Sequence, residues 1–191
     1  MKKLRSHKGQ AIVEFAVLLP IFVVMVLGIV EVGYALLEQH VVTKLSREGS
    51  NLISRNTTLP DAITAMKAMA SFPVDFDHGK VILSVLKVGA TTGTSNYNKL
   101  ILYQRYSYGS LSAPSKLGTQ GAASFGSPPD YVAPNSDADA NLRVTNAPAS
   151  LSLPPGGLVY VTEVYSQHKL ITPLDRFGIS VPTTLYSIAY F

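Results

Sequence analysis

The sequence predicts an α+β protein: one long N-terminal helix, then a small antiparallel sheet carrying a long irregular insertion. Three observations lead there. Residues 9–37 form a nearly unbroken apolar run, GQAIVEFAVLLPIFVVMVLGIVEVGYALL. After Lys80 the texture changes to short runs rich in Val, Ile, Leu and Tyr, the residues that suit pleated, half-buried strands. Between two of these runs lie some fifty residues dominated by Gly, Ser, Ala, Pro and Asn.

The apolar run comes first. No charge lies between Glu14 and Glu31, so sixteen residues, Phe15 to Val30, are wholly uncharged. A hydrocarbon core needs about 20 apolar residues. Residues 11–37 reach about 40 Å at 1.5 Å per residue, enough for the hydrocarbon and both interfaces if the two glutamates lie near the edges. Pro20 removes one backbone donor and crowds the carbonyl of Ala16, which predicts a kink of the kind membrane helices tolerate. Glu31 is expected at the outer interface, hydrated. Past the membrane, Leu37, Val41, Leu45, Gly49 and Leu52 recur about every four residues, with Glu38, Lys44, Arg47 and Glu48 on other faces. The helix is expected to end near Arg55–Thr58.

Thr58, Pro60 and Asp61 then give a helix-start signal: a capping hydroxyl, a first-turn proline and an early acid. Ile63, Met66 and Ala70 follow at helical spacing, and Phe72-Pro73 ends that helix. Lys80–Val88 and Lys99–Tyr106 read as a hairpin around a Gly/Thr/Ser/Asn loop. Leu158–His168 and Thr183–Phe191 supply two more strands, with Tyr186, Ile188 and Tyr190 on one face of the last. Residues 107–157 read as a weakly ordered insertion, a lid or a binding loop, with short strands able to form around Tyr131-Val132 or Leu142–Thr145.

Charge narrows the function classes. Of sixteen basic residues, Lys2, Lys3, Arg5 and Lys8 precede Gly9, which leaves twelve against twelve acids in the remainder. The net charge of +4 therefore belongs to the N-terminal stub, which argues against a nucleic-acid partner. The same stub predicts an N-terminus held in the cytoplasm and a C-terminal domain outside. A cleaved secretory signal ranks lower, because no small-x-small site closes the apolar region. The absence of cysteine excludes disulfides, cysteine redox chemistry and Cys-based metal sites.

Candidate chemistry is sparse. Asp137, Asp139 and Asn141 open like a calcium loop, but Leu142 stands where Gly is needed and Pro148 where a bidentate Glu belongs. Asp75, Asp77 and His78 suit a metal no better than a polar loop. Ser124 is one residue off a nucleophile-elbow motif, and Asp137 and His168 follow in hydrolase order, yet no strand leads into Ser124 and no helix follows. The residues favour no enzyme, no cofactor and no metal.

Gly9-Gln10-Ala11-Ile12-Val13-Glu14-Phe15, behind a basic stub, is the most specific motif. It resembles the processing site of type IV prepilins of the tight-adherence (Flp-type) branch. The longer run, with Leu19-Pro20 and Gly-Ile-Val-Glu31, resembles the TadE-like (TadE/TadF) pseudopilins. The resemblance covers roughly residues 8–37. It implies a leader at 1–9, a transmembrane helix at 10–37, a helix extension at 38–58 and an extracytoplasmic pilin-like domain at 59–191. It also implies cleavage after Gly9 by a prepilin peptidase, with Gln10 standing where archetypal type IV pilins carry Phe. Expected partners are that peptidase, other pseudopilins, the major pilin, the inner-membrane assembly platform and the lipid bilayer. The implied role is assembly of a surface filament for adhesion and biofilm formation from the cytoplasmic membrane.

Glu14 gains a physical role in that scheme. A carboxylate at mid-bilayer costs roughly 2.5–3.5 kcal/mol. The amine freed at Gln10, about 6 Å along the helix, would neutralise it within one chain or between staggered neighbours. Two other readings stand beside this one: an uncleaved single-pass protein with an extracytoplasmic binding domain, and a tethered hydrolase using Ser124.

Overall fold

The computed structural model describes residues 8–178 and 182–191. The first helix, α1 (Lys8–Ser54), runs unbroken through Pro20. Its apolar first half touches little of the rest of the chain, and its 18-residue window of membrane-spanning character has none of its residues buried. The second helix, α2 (Leu59–Met69), begins where the sequence places it. Thr58 is the N-cap, its hydroxyl accepting from the Asp61 N–H at 3.3 Å and donating to the Asp61 carboxylate at 2.6 Å.

Four strands follow: β1 (Lys80–Val88), β2 (Leu100–Tyr108), β3 (Leu158–Gln167) and β4 (Thr184–Tyr190). They pair antiparallel throughout in the order β2-β1-β3-β4. Central β1 is buried on both faces, which its KVILSVLKV sequence permits, since no polar side chain but Ser84 interrupts the run from Val81 to Leu86. A bulge between Val85 and Leu86 shifts its register against β2.

One face of the sheet packs on the helices. Val81, Leu83 and Val85 of β1 and Val164 of β3 meet Val42, Leu45 and Ile53 of α1 and Ile63 and Met66 of α2. The other face is covered by the insertion. To bring the chain from edge strand β2 to β3, residues 109–157 must cross the sheet, and they do so as a third layer. Leu117 packs on Leu86, Leu102, Val159 and Val161. Leu142 and Ala133 pack on Ile101. The segment has no strand of its own, only a 3-10 turn at Ala140–Leu142 and single bridges at Val132, Arg143 and Val144. The expected weakly ordered loop is thus a packed coil: its few apolar residues are spaced to reach the sheet, although they show no period.

Two details of α1 depart from the sequence reading. The stripe buried against the domain is Val42, Leu45, Ser46, Gly49, Ser50 and Ile53, whereas Leu37 is exposed. Ser46 and Ser50 lie inward because β4 offers them partners, the Ser187 hydroxyl at 2.9 Å and the Ala189 carbonyl at 2.9 Å. Glu38, expected on a polar face, is also buried.

Gly49 sets how closely α1 approaches the sheet. A Cβ there would stand 2.7 Å from Thr162 Cγ2 and 2.8 Å from Met66 Sδ. Gly49→Leu is expected to destabilise the detergent-solubilised protein by about 1–3 kcal/mol through overpacking, measured by denaturant unfolding followed by tyrosine fluorescence. Gly33→Ala, where nothing lies within 4 Å, should be neutral or slightly stabilising.

Candidate functional site

Two regions of α1 carry groups that helix packing does not explain: its first two turns and the stretch from Glu31 to Glu38.

Gly9, Gln10, Glu14 and Phe15 lie together at the start of α1, all exposed. The Gln10 side-chain amide donates to the Glu14 carboxylate at 3.0 Å, one turn away. Gly9 is helical, and a Cβ at that position meets nothing within 4 Å. Among the described residues no close contact calls for a glycine there.

Glu31 is not at a hydrated interface. It is fully buried by the C-terminal part of the domain. The Thr172 N–H donates to it at 2.9 Å and the Thr172 hydroxyl at 2.5 Å, and the Ile171 N–H reaches both carboxylate oxygens at 3.3 Å. His168 Nε2 lies 3.2 Å from the same carboxylate. The other ring nitrogen, Nδ1, lies 2.7 Å from Glu38, which also accepts from the Ser166 hydroxyl at 2.6 Å. One imidazole thus bridges two acids seven residues apart on one helix face. The result is a polar clasp joining α1 to the end of β3 and the loop after it.

The clasp also removes the hydrolase reading. Both ring nitrogens of His168 face acids on α1, and the Asp137 carboxylate accepts from the Thr91 hydroxyl at 2.9 Å, so neither serves Ser124. Asp139 caps the 3-10 turn by accepting from the Asn141 N–H at 2.9 Å, a local turn rather than a calcium loop. The Asp77 N–H and then His78 hold the Asp75 carboxyl below its ordinary value. Among the described residues no three His, Cys, Asp or Glu side chains are grouped to hold a metal.

A third buried acid, Glu163 on β3, ties the insertion to the sheet. It accepts from the Lys116 N–H at 2.6 Å, from the Tyr186 hydroxyl at 3.1 Å and from the Ser115 hydroxyl. Arg105 reaches Ser84 and Ser115 beside it, both at 3.0 Å. Burial, and then the Glu163 charge, pushes the Tyr165 phenol up to about 12 and raises that of Tyr186 further still.

Sequence reasoning located the first region and missed the clasp. Glu31, Glu38 and Leu45 are spaced seven apart, a signal that they share one face, but two acids on that face read as solvent-exposed. His168, Thr172 and the Ile171 N–H come from a loop whose return to α1 has no signature in the sequence.

Removing the imidazole should be worse than neutralising one acid. His168→Ala leaves two buried carboxylates without their common partner and should cost about 3–5 kcal/mol, while Glu31→Gln retains an acceptor and should cost less. Thermal unfolding in detergent orders the two. The tyrosines give a pH dependence. Their folded pKa values lie above the unfolded value near 10, so the stability they contribute is complete below pH 10 and is lost as pH rises toward 12. Absorbance at 295 nm should show these phenols ionising together with alkaline unfolding, and Tyr165→Phe should shrink that step.

Residues 9–51 match the family model described as TadE-like protein. No curated protein and no solved structure matches the chain. The match begins at Gly9 and ends three residues short of the end of α1, so it covers the exposed helix start, the apolar run, both acids of the clasp and most of the packed stripe. It connects the chain with a family of structural pilus components, and the one long apolar helix among the described residues fits a single-pass membrane protein.

Proposed function

We propose that this chain is a minor pseudopilin acting in assembly of a tight-adherence pilus, cut after Gly9 by a prepilin peptidase. The observation that carries the reading is Gly9 itself. No close contact among the described residues calls for a glycine there, and it stands at the junction of a basic stub and an exposed apolar helix, at the first residue of the TadE-like match. A protease that must seat extended backbone at the scissile bond supplies a reason for a residue with no side chain.

Cleavage would change the environment of Glu14. Before it, the Gln10 side-chain amide is the partner, a neutral group. Afterwards Gln10 carries a free amine, a cation with a reference pKa of about 7.7–8.0. An ion pair at that spacing lowers the penalty of an acid in lipid, within one chain or across two helices in staggered register. The exposed face from Ile12 to Val30 then offers a continuous apolar surface for neighbouring helices of pseudopilins, the major pilin or the platform. The folded domain outside keeps α1 projecting from the packed sheet.

The test is the mature N-terminus of protein extracted from native membranes, read by intact mass and N-terminal sequencing. A start at Gln10 that disappears with Gly9→Ala is expected. Retention of Met1 to Lys8 in cells with active prepilin peptidase would sink the proposal and leave an uncleaved single-pass protein with an outer binding domain. Glu14→Ala is expected to leave the domain's thermal unfolding unchanged and to lower the yield of surface filaments.

A further inference from the structure

The apolar run of α1 is too short for its task if it ends at Glu31. Phe15 to Val30 is about 24 Å long at 1.5 Å per residue, against a hydrocarbon core of about 30 Å. The structure removes the obstacle, because Glu31 and Glu38 face the domain and are fully occupied by Thr172, Ile171, His168 and Ser166. On the opposite side of the same two turns, Val32, Leu36 and Leu37 stay exposed, Leu36 at 65%. Counted to Leu37, the apolar surface is about 34 Å long. The next exposed side chain is His40.

The domain matches that surface at the same level of the helix. Ile171, whose N–H binds Glu31, exposes 51% of its surface, and Leu170 beside it is also exposed. From the loop after α2, Phe72 is 78% exposed, although its ring lies 5.8 Å from that of Tyr34 on α1. Two loops distant in sequence therefore place large apolar side chains around α1 between Glu31 and Glu38, continuous with its lipid-facing surface. An aromatic and two aliphatic tips exposed to water together would be unfavourable, and such patches mark a membrane or protein contact.

We propose that Phe72, Leu170 and Ile171 insert into the outer-leaflet interface of the bilayer that α1 crosses, so that the clasp lies at the membrane surface and the domain rests on the lipid. The continuity of these tips with the exposed face of α1 selects lipid as the occupant. The proposal rests on α1 spanning a membrane and is independent of cleavage at Gly9.

The chain lacks cysteine, so single-cysteine variants label cleanly. Full-length protein carrying an NBD fluorophore at Ser71→Cys, Lys169→Cys, Val23→Cys or Asp130→Cys would be reconstituted in phosphatidylethanolamine/phosphatidylglycerol vesicles containing a 5-doxyl lipid. Val23 reports the span, and Asp130 reports the far end of the domain beside Thr57 and Thr58. The labels at 71 and 169 are expected to be blue-shifted and quenched by the doxyl lipid to at least half the extent seen at 23, with little quenching at 130. Adding Phe72→Ser with Ile171→Ser should reduce quenching at 169 at least twofold. Iodide quenching at 71 and 169 with lipid quenching only at 23 would overturn the proposal. So would shielding of both collar labels from iodide and lipid alike, which would mean a protein neighbour. Loss of lipid quenching at 23 as well would overturn the membrane-spanning reading beneath it.

Discussion

Two carboxylates on an otherwise apolar helix face constrain how this protein is put together. Glu31 and Glu38 would each be expensive near hydrocarbon. The chain satisfies both with one imidazole, two hydroxyls and two backbone N–H groups, all from residues 166–172. That requirement fixes where β3 ends and obliges the following loop to turn back onto α1. It also fixes the rotation of α1: with 31 and 38 inward, Val42, Leu45, Gly49 and Ile53 follow inward and Val32, Leu36 and Leu37 face out. A polar cluster is a poor source of net stability but a strong source of uniqueness, because a rotated or shifted helix would strand the acids.

The sheet depends on that placement. With α1 held at one level, Gly49 allows it to lie close on Thr162 of β3 and Met66 of α2, and Ser46 and Ser50 meet β4. Gln39 donates to the Tyr186 carbonyl at 3.2 Å, so α1 also covers part of the edge strand's open backbone. The far face is closed by the insertion, held to β3 by the buried acid Glu163. Each layer is thus anchored by a buried carboxylate: Glu31 and Glu38 between helix and sheet, Glu163 between sheet and coil. In a small domain without disulfides these three acids add definition to the apolar core.

The two ends of α1 divide the work. The first turns, with Gly9, Gln10, Glu14 and Phe15, are exposed. The second half is committed to the fold. The TadE-like match, residues 9–51, spans both the motif at the helix start and the clasp acids.

Local chemistry in the sequence determined the elements. The uncharged run, the Thr58 cap, and the Val/Ile/Tyr runs identified both helices and placed all four strands to within two residues, because propensity, capping and periodicity act over a few neighbours, while the helix ends fell three or four residues short of the reading. The helix-start motif was legible for the same reason. What the tertiary structure alone decided is which polar groups go inside. Glu31 and Glu38 read as hydrated because burying an acid is unfavourable until its donors are present. Those donors lie more than a hundred residues away, in a loop with no periodic signal. The layer formed by residues 109–157 was hidden likewise: its apolar residues follow no repeat, since each is placed by the sheet beneath it and not by a helix or strand of its own.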